Sequence, residues 1–189
     1  MQKLPTVLSI VLSLGITLLV SCSSAQAGSL EKRAAQLFAG LQQSRAAAAA
    51  LLADDLRWQN GPSGVTSSKN ELLNGLSAEW AVNLQRSVSD IVERGDVVTL
   101  TVTQTSDLHK ALGLPADVAR VSLRFRGSKV VFGQIEALGD PMVTSARFVA
   151  FHEWLHQRHA EEANELLPAG QMPSSGELAK RVLARAGEW

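Results

Sequence analysis

The sequence holds no tyrosine, a single cysteine, no surplus of either charge and no internal repeat. Each absence removes a class of function. Without tyrosine, no phenol is available as a proton donor in an active site. With Cys22 as the only cysteine, no disulfide can close within the chain. Eighteen basic residues stand against eighteen acidic ones, so the basic surplus that a nucleic-acid backbone selects is missing and nucleic acid is not an expected partner. Long apolar runs are also scarce. The longest, Val7 to Val20, is short for a spanning helix and sits beside the N-terminus.

That run reads instead as part of an address. Lys3 supplies a positive start, Val7 to Val20 an apolar middle, and Leu19-Val20-Ser21-Cys22 a lipobox, the signal for cleavage ahead of Cys22 and acylation of its thiol. It resembles bacterial lipoprotein signals. The expected organisation is a signal over residues 1–21, lipidated Cys22 and a small polar tether over 22–30, a globular domain over 31–140 and a helical extension over 141–189 packed on it. The expected location is the bacterial cell envelope, through the acyl chains, with Ser23 favouring the outer membrane and a periplasmic orientation.

The domain is organised around Val88 to Leu138. Thr99, Thr101, Thr103 and Thr105 alternate with Val98, Leu100 and Val102, and Arg120, Ser122, Arg124 and Arg126 alternate with Val121, Leu123 and Phe125. Turn signals at Arg94-Gly95-Asp96 and Arg126-Gly127-Ser128-Lys129 divide the run into strands. The pattern predicts an α+β fold, a curved antiparallel sheet whose apolar face is covered by N-terminal helices over about 30–53 and 67–83. Ser44 and either Ser67 or Ser68 are the expected helix caps.

If Gly127-Ser128 is a two-residue turn, unbroken alternation sets Leu123 against Phe132, Val121 against Gln134 and Ala119 against Glu136, all on the covered face. A buried glutamate must be paired, hydrogen-bonded or protonated, so Glu136 is the leading acid-base candidate, with Gln134 beside it. Trp58 and Asn60 lie two apart on a short strand and point the same way. They are expected to line the cavity together with Trp80 and Phe132, the aromatics as walls and Asn60 as a polar contact.

The succession ALLADDLRWQNGPSG, VERGDVVTL, LHKALGLPA and RVSLRFRGSKVVFGQIE resembles the nuclear transport factor 2-like superfamily, in its SnoaL-like branch, over about Glu31 to Asp140. The resemblance implies a cone-shaped fold in which helices sit inside a bent sheet and enclose a pocket open at one end. It also implies either binding of a small apolar or amphipathic molecule, or acid-base chemistry of the isomerase, cyclase or hydrolase type, without a cofactor. Enzymes of that family place an Asp, or an Asp with His, Tyr or Arg, in the cone. The carboxylate on the final strand here is Glu136, and His109 follows Thr105 where relatives often carry a His near the pocket. The Thr and Arg face of the sheet is a possible homodimer surface.

Beyond Asp140, His152-Glu153-Trp154-Leu155-His156 matches the HExxH pattern of zinc hydrolases, with Glu177 as an available third ligand. Helical spacing favours a different reading. Phe148, Phe151, Leu155 and Leu166 form one stripe with His152, His156 and His159 along its border, as expected for a helix packed on a domain. FVAFHEWLHQRHAEEANELLPAG and the helix ending at Trp189 resemble the helical tail of some members of the same superfamily. A second amphipathic helix is expected from Glu177 to Ala186, with Leu178, Val182 and Leu183 inward.

Overall fold

A computed structural model describes residues 30–61, 64–139, 141–173 and 175–189. The expected signal, Cys22 and most of the expected tether lie outside the described residues. Helix α1 (30–43) is followed by Ser44, whose hydroxyl accepts the Ala47 N–H at 3.1 Å and so starts α2 (Arg45–Leu51). The chain passes directly into β1 (Leu52–Asn60), then β2 (Val65–Ser67) and α3 (Lys69–Ala81). A reciprocal cap opens α3. The Glu71 carboxylate accepts the Ser68 N–H at 2.7 Å, and the Ser68 hydroxyl accepts the Glu71 N–H at 3.4 Å. Strands β3 (Gln85–Arg94) and β4 (Val97–Thr105), helix α4 (Asp107–Ala111), and strands β5 (Asp117–Arg126) and β6 (Lys129–Ala137) complete the sheet region.

Among the described residues the sheet has six strands in the order β2-β1-β6-β5-β4-β3. The three hairpins, β1-β2, β3-β4 and β5-β6, are antiparallel, as is β4-β5, whereas β1 runs parallel to β6. The sheet is therefore mixed where an antiparallel one was expected. The long connection through α3, β3, β4 and β5 lets the chain return beside β1 in the same direction.

Among the described residues, three irregularities interrupt the ladders of the sheet, one of them where β1 shifts register against β6 between Leu52 and Arg57. In β3, Ser89 pairs with Thr101 and Val92 with Thr99, so Asp90 and Ile91 share one partner position, with Asp90 at φ 50°. In the β5-β6 hairpin, Phe125 pairs with Val130 but Arg124 with Phe132, leaving Val131 as the extra residue. Because side chains alternate, one inserted residue reverses every face assignment that follows. Gly133 and Ile135 thus turn inward, opposite Leu123 and Val121. Phe132, Gln134 and Glu136 turn outward beside Arg124, Ser122 and Arg120. The expectation that Phe132, Gln134 and Glu136 face the covered side is corrected here, since it assumed an unbroken ladder.

Two apolar cores result. The first joins Leu37, Phe38 and Leu41 of α1 and Leu73 and Leu76 of α3 to Val98, Leu100, Val102, Val121 and Leu123 of the sheet. The second is built by α5 (Pro141–Arg158), α6 (Ala160–Leu166) and α7 (Gly176–Glu188), which bury Phe151, Leu155, Leu166 and Val182 against Val82, Leu108 and Leu112. These are three helices, not the expected two. His159, at φ −137° and ψ 47°, leaves the helical region and separates α5 from α6.

Candidate functional site

A cavity of about 210 Å³ lies between α1, α3 and the inner face of the sheet. Phe38, Leu41, Leu72, Leu76, Val102, Val121 and Ile135 make its apolar wall, together with Trp58. Trp58 can lie flat on the sheet only because its neighbour on β6 is Gly133. A Cβ at Gly133 would collide with the indole ring of Trp58.

Asn60, Ser67, Gln104, Glu79 and Arg86 give the cavity its polar part. Glu79 and Arg86 are brought together by the end of α3. The Leu84 N–H bonds the Glu79 carbonyl at 2.9 Å, the Asn83 N–H bonds the Trp80 carbonyl at 3.1 Å, and Asn83 adopts φ 52°. This is a Schellman turn, in which the left-handed residue reverses the chain, and asparagine tolerates that conformation. Reversal sends β3 back past the last turn of α3. Arg86 Nη2 then sits 2.6 Å from Glu79 Oε2.

The Arg86 side chain is only 7% exposed, and that of Glu79 31%. Their contact is close but not aligned as a hydrogen bond, so the attraction is mainly Coulombic. Neither Glu79 Oε2 nor Arg86 Nη1 has a hydrogen-bond partner among the described residues. A buried guanidinium N–H without an acceptor is costly.

No family model and no curated protein matches this sequence. Solved structures do. A protein from Catenulispora acidiphila with a ketosteroid isomerase-like fold, solved in complex with trimethylamine, is 18% identical at TM-score 0.51, over 61% of this chain and 90% of that one. IdmH from Streptomyces antibioticus, provisionally assigned as a polyketide cyclase, is 16% identical at TM-score 0.53, over 63% and 97% of the two chains. AclR from Streptomyces galilaeus, provisionally assigned as a hydroxylase, is 16% identical at TM-score 0.50, over 63% and 85%. The fold is the ketosteroid isomerase-like cone.

In this ketosteroid isomerase-like cone, Trp58 and Asn60 fall on the cavity wall, whereas the other expected cavity residues do not. Trp80 is 37% exposed, and its indole N–H donates to the Leu41 carbonyl at 2.9 Å, fastening α3 to α1 from outside. Glu136 is on the convex face, its side chain 56% exposed and 3.5 Å from Arg120 Nη1. From there it cannot act on a molecule inside the cone, so the assignment of Glu136, with Gln134, as pocket acid and base is overturned by the bulge at Val131.

His109 stands in α4, away from Glu136. Its Nδ1 is 2.6 Å from the Ser106 hydroxyl, and its Nε2 is 3.0 Å from Asp117 Oδ2. The series Ser106, His109, Asp117 looks like a hydrolase triad, but Ser106 is 3% exposed and its oxygen already accepts the His109 N–H as the helix cap. The group ties α4 to the start of β5 and does not line the cavity.

His152 and His156 are neighbours on α5, their rings edge-on with centroids 4.6 Å apart. Among the described residues, no three His, Cys, Asp or Glu side chains are placed to hold a metal ion, so Glu177 does not join them. The stripe of α5 has the packing role that its spacing predicts.

Glu79, Arg86 and Gln104 were not identified from the sequence. A signal existed for each of them. Arg86 precedes Val88 by two and Gln104 follows Val102 by two, so extending each alternation one step puts both on the inner face. Glu79 follows Leu72 and Leu76 on the inner side of α3, at helical spacing.

Proposed function

We propose that this protein binds a small, largely apolar molecule inside the cone while tethered to a bacterial envelope membrane through Cys22. The observation that carries the binding reading is the cavity itself. Well-packed cores leave few spaces larger than a water molecule, yet about 210 Å³ stays open here between apolar walls and an ion pair whose arginine is buried. That volume is below the roughly 300–1,000 Å³ usual for drug-sized ligands, which favours a compact guest. A structure of the same fold holding trimethylamine is in keeping with a guest of that scale. The tether rests on the lipobox alone.

Native mass spectrometry of the whole chain, expressed in a bacterium and extracted in detergent, tests both parts. The expected spectrum has the acyl mass at Cys22, lost in Cys22→Ala, and a small organic mass lost when Leu76→Trp fills the cavity. An unacylated chain still carrying residues 1–21 overturns the tether. A wild-type chain with no guest, and no thermal shift across a panel of small amphipathic compounds, overturns the binding reading.

A further inference from the structure

We infer that the polar end of the guest is a neutral acceptor, a carbonyl or carboxamide oxygen, received by Arg86 Nη1. This rests on the binding reading of the same cavity. Arg86 is the group that decides it. Its side chain is more than nine-tenths buried, it lines the cavity, and its Nη1 has no partner among the described residues while Nη2 faces Glu79 at 2.6 Å. A free guanidinium nitrogen offers donors only, so what it receives must be an acceptor.

The charge of that acceptor follows from Glu79. Arg86 and Glu79 already form a neutral pair, and the remaining polar groups of the cavity, Asn60, Ser67 and Gln104, carry no charge. A carboxylate brought to Nη1 would add a second anion beside Glu79 with one cation between them, leaving a negative charge without a partner next to the buried guanidinium. A neutral oxygen leaves no such charge. The amide side chains of Asn60 and Gln104 can both donate and accept, which suits a carboxamide whose N–H groups also need partners.

Three probes with the same aromatic body separate the possibilities: toluene, benzamide and benzoate. Each is titrated at pH 7.5 into the full chain in detergent and followed on the assigned Trp58 indole resonance. Benzamide is expected to saturate at a concentration at least tenfold lower than either of the others. Arg86→Lys keeps a cation for Glu79 but has one nitrogen in place of the fork, and should erase the advantage of benzamide while leaving toluene unchanged. The double variant Glu79→Gln, Arg86→Met removes the pair together, so no charge is left unpaired, and should also erase it. Benzoate binding more tightly than benzamide overturns the neutral class. A benzamide advantage that survives both variants overturns the role of Arg86. Toluene binding as well as benzamide in the wild type overturns this inference and leaves the binding reading standing, whereas no shift with any probe overturns both.

Discussion

The two cores of this molecule are made of similar residues and end differently. The cone core packs Leu, Val and Phe side chains of α1 and α3 on a bent sheet, and keeps a cavity with Arg86 and Glu79 at its edge. The C-terminal core buries Phe151, Leu155, Leu166 and Leu167 fully. The Phe151 ring stacks on Trp154 at 5.9 Å and tilts against Trp189 at 5.8 Å. Its charges stay on the surface, where Arg181 reaches Glu162 and Glu165, and Arg185 reaches Glu162 and Glu188. Helices slide and rotate until their side chains interlock, whereas a sheet held by its own ladder and bent by bulges cannot follow the helices above it. On the binding reading proposed above, one core serves stability and the other recognition.

Deleting the centre of the closed core should cost most. Phe151→Ala is expected to lower the unfolding free energy by about 3–5 kcal/mol, read by urea denaturation, with probe binding in the cone retained below the transition. A loss under about 1 kcal/mol would mean that the closed core relaxes around the gap and is not the tighter of the two.

Gly133→Ala pushes a methyl group into the Trp58 ring and should cost about 1–3 kcal/mol, with a red shift of tryptophan emission as the indole leaves the wall. Unchanged emission would show that Trp58 does not depend on the glycine. Ile135→Phe narrows the cavity and should alter stability by less than about 1.5 kcal/mol while weakening probe binding at least tenfold. Equal binding in that variant would place the guest away from β6.

The smallest effect concerns the charged rim of the closed core. Arg181 and then Arg185 hold the Glu162 carboxyl below its ordinary range by hydrogen bonding. A depressed carboxyl contributes stability that is present above its unfolded value and lost as pH falls through the folded one. Melting temperature should therefore drop on acidification below the ordinary carboxylate range, and Glu162→Gln should flatten that part of the profile. An unchanged slope would assign the acid sensitivity to other carboxyls, among them Asp55, which is lowered by the Arg126 hydrogen bond, and Asp54, lowered by Lys69.

Much of the cone is written in local patterns. The alternation of Val98, Leu100 and Val102 with threonines, the Ser44 and Ser68 caps, and the Gly127-Ser128 turn each act within a few residues, and each forms where its pattern places it. The site was less legible. Trp58 and Asn60 reach the cavity because no irregularity separates them, while Glu136 misses it because a single extra residue, Val131, lies between the turn and the end of the strand. Nothing in Lys129-Val130-Val131-Phe132 distinguishes a bulge from a regular ladder.

The sequence by itself determined the α+β class, the inward and outward rows on β4 and β5, the starts of α2 and α3 and the apolar stripe of α5, since all of these follow from side-chain periodicity and capping chemistry. Tertiary structure alone decided the parity of β6, because the register beyond the bulge is set by two neighbours at once, β5 on one edge and parallel β1 on the other, where Trp58 meets Gly133. It also decided the chemistry of the cavity. Glu79 and Arg86 become a pair only when the turn at Asn83 folds β3 back along α3, a geometry that depends on where the helix and the sheet come to rest against each other.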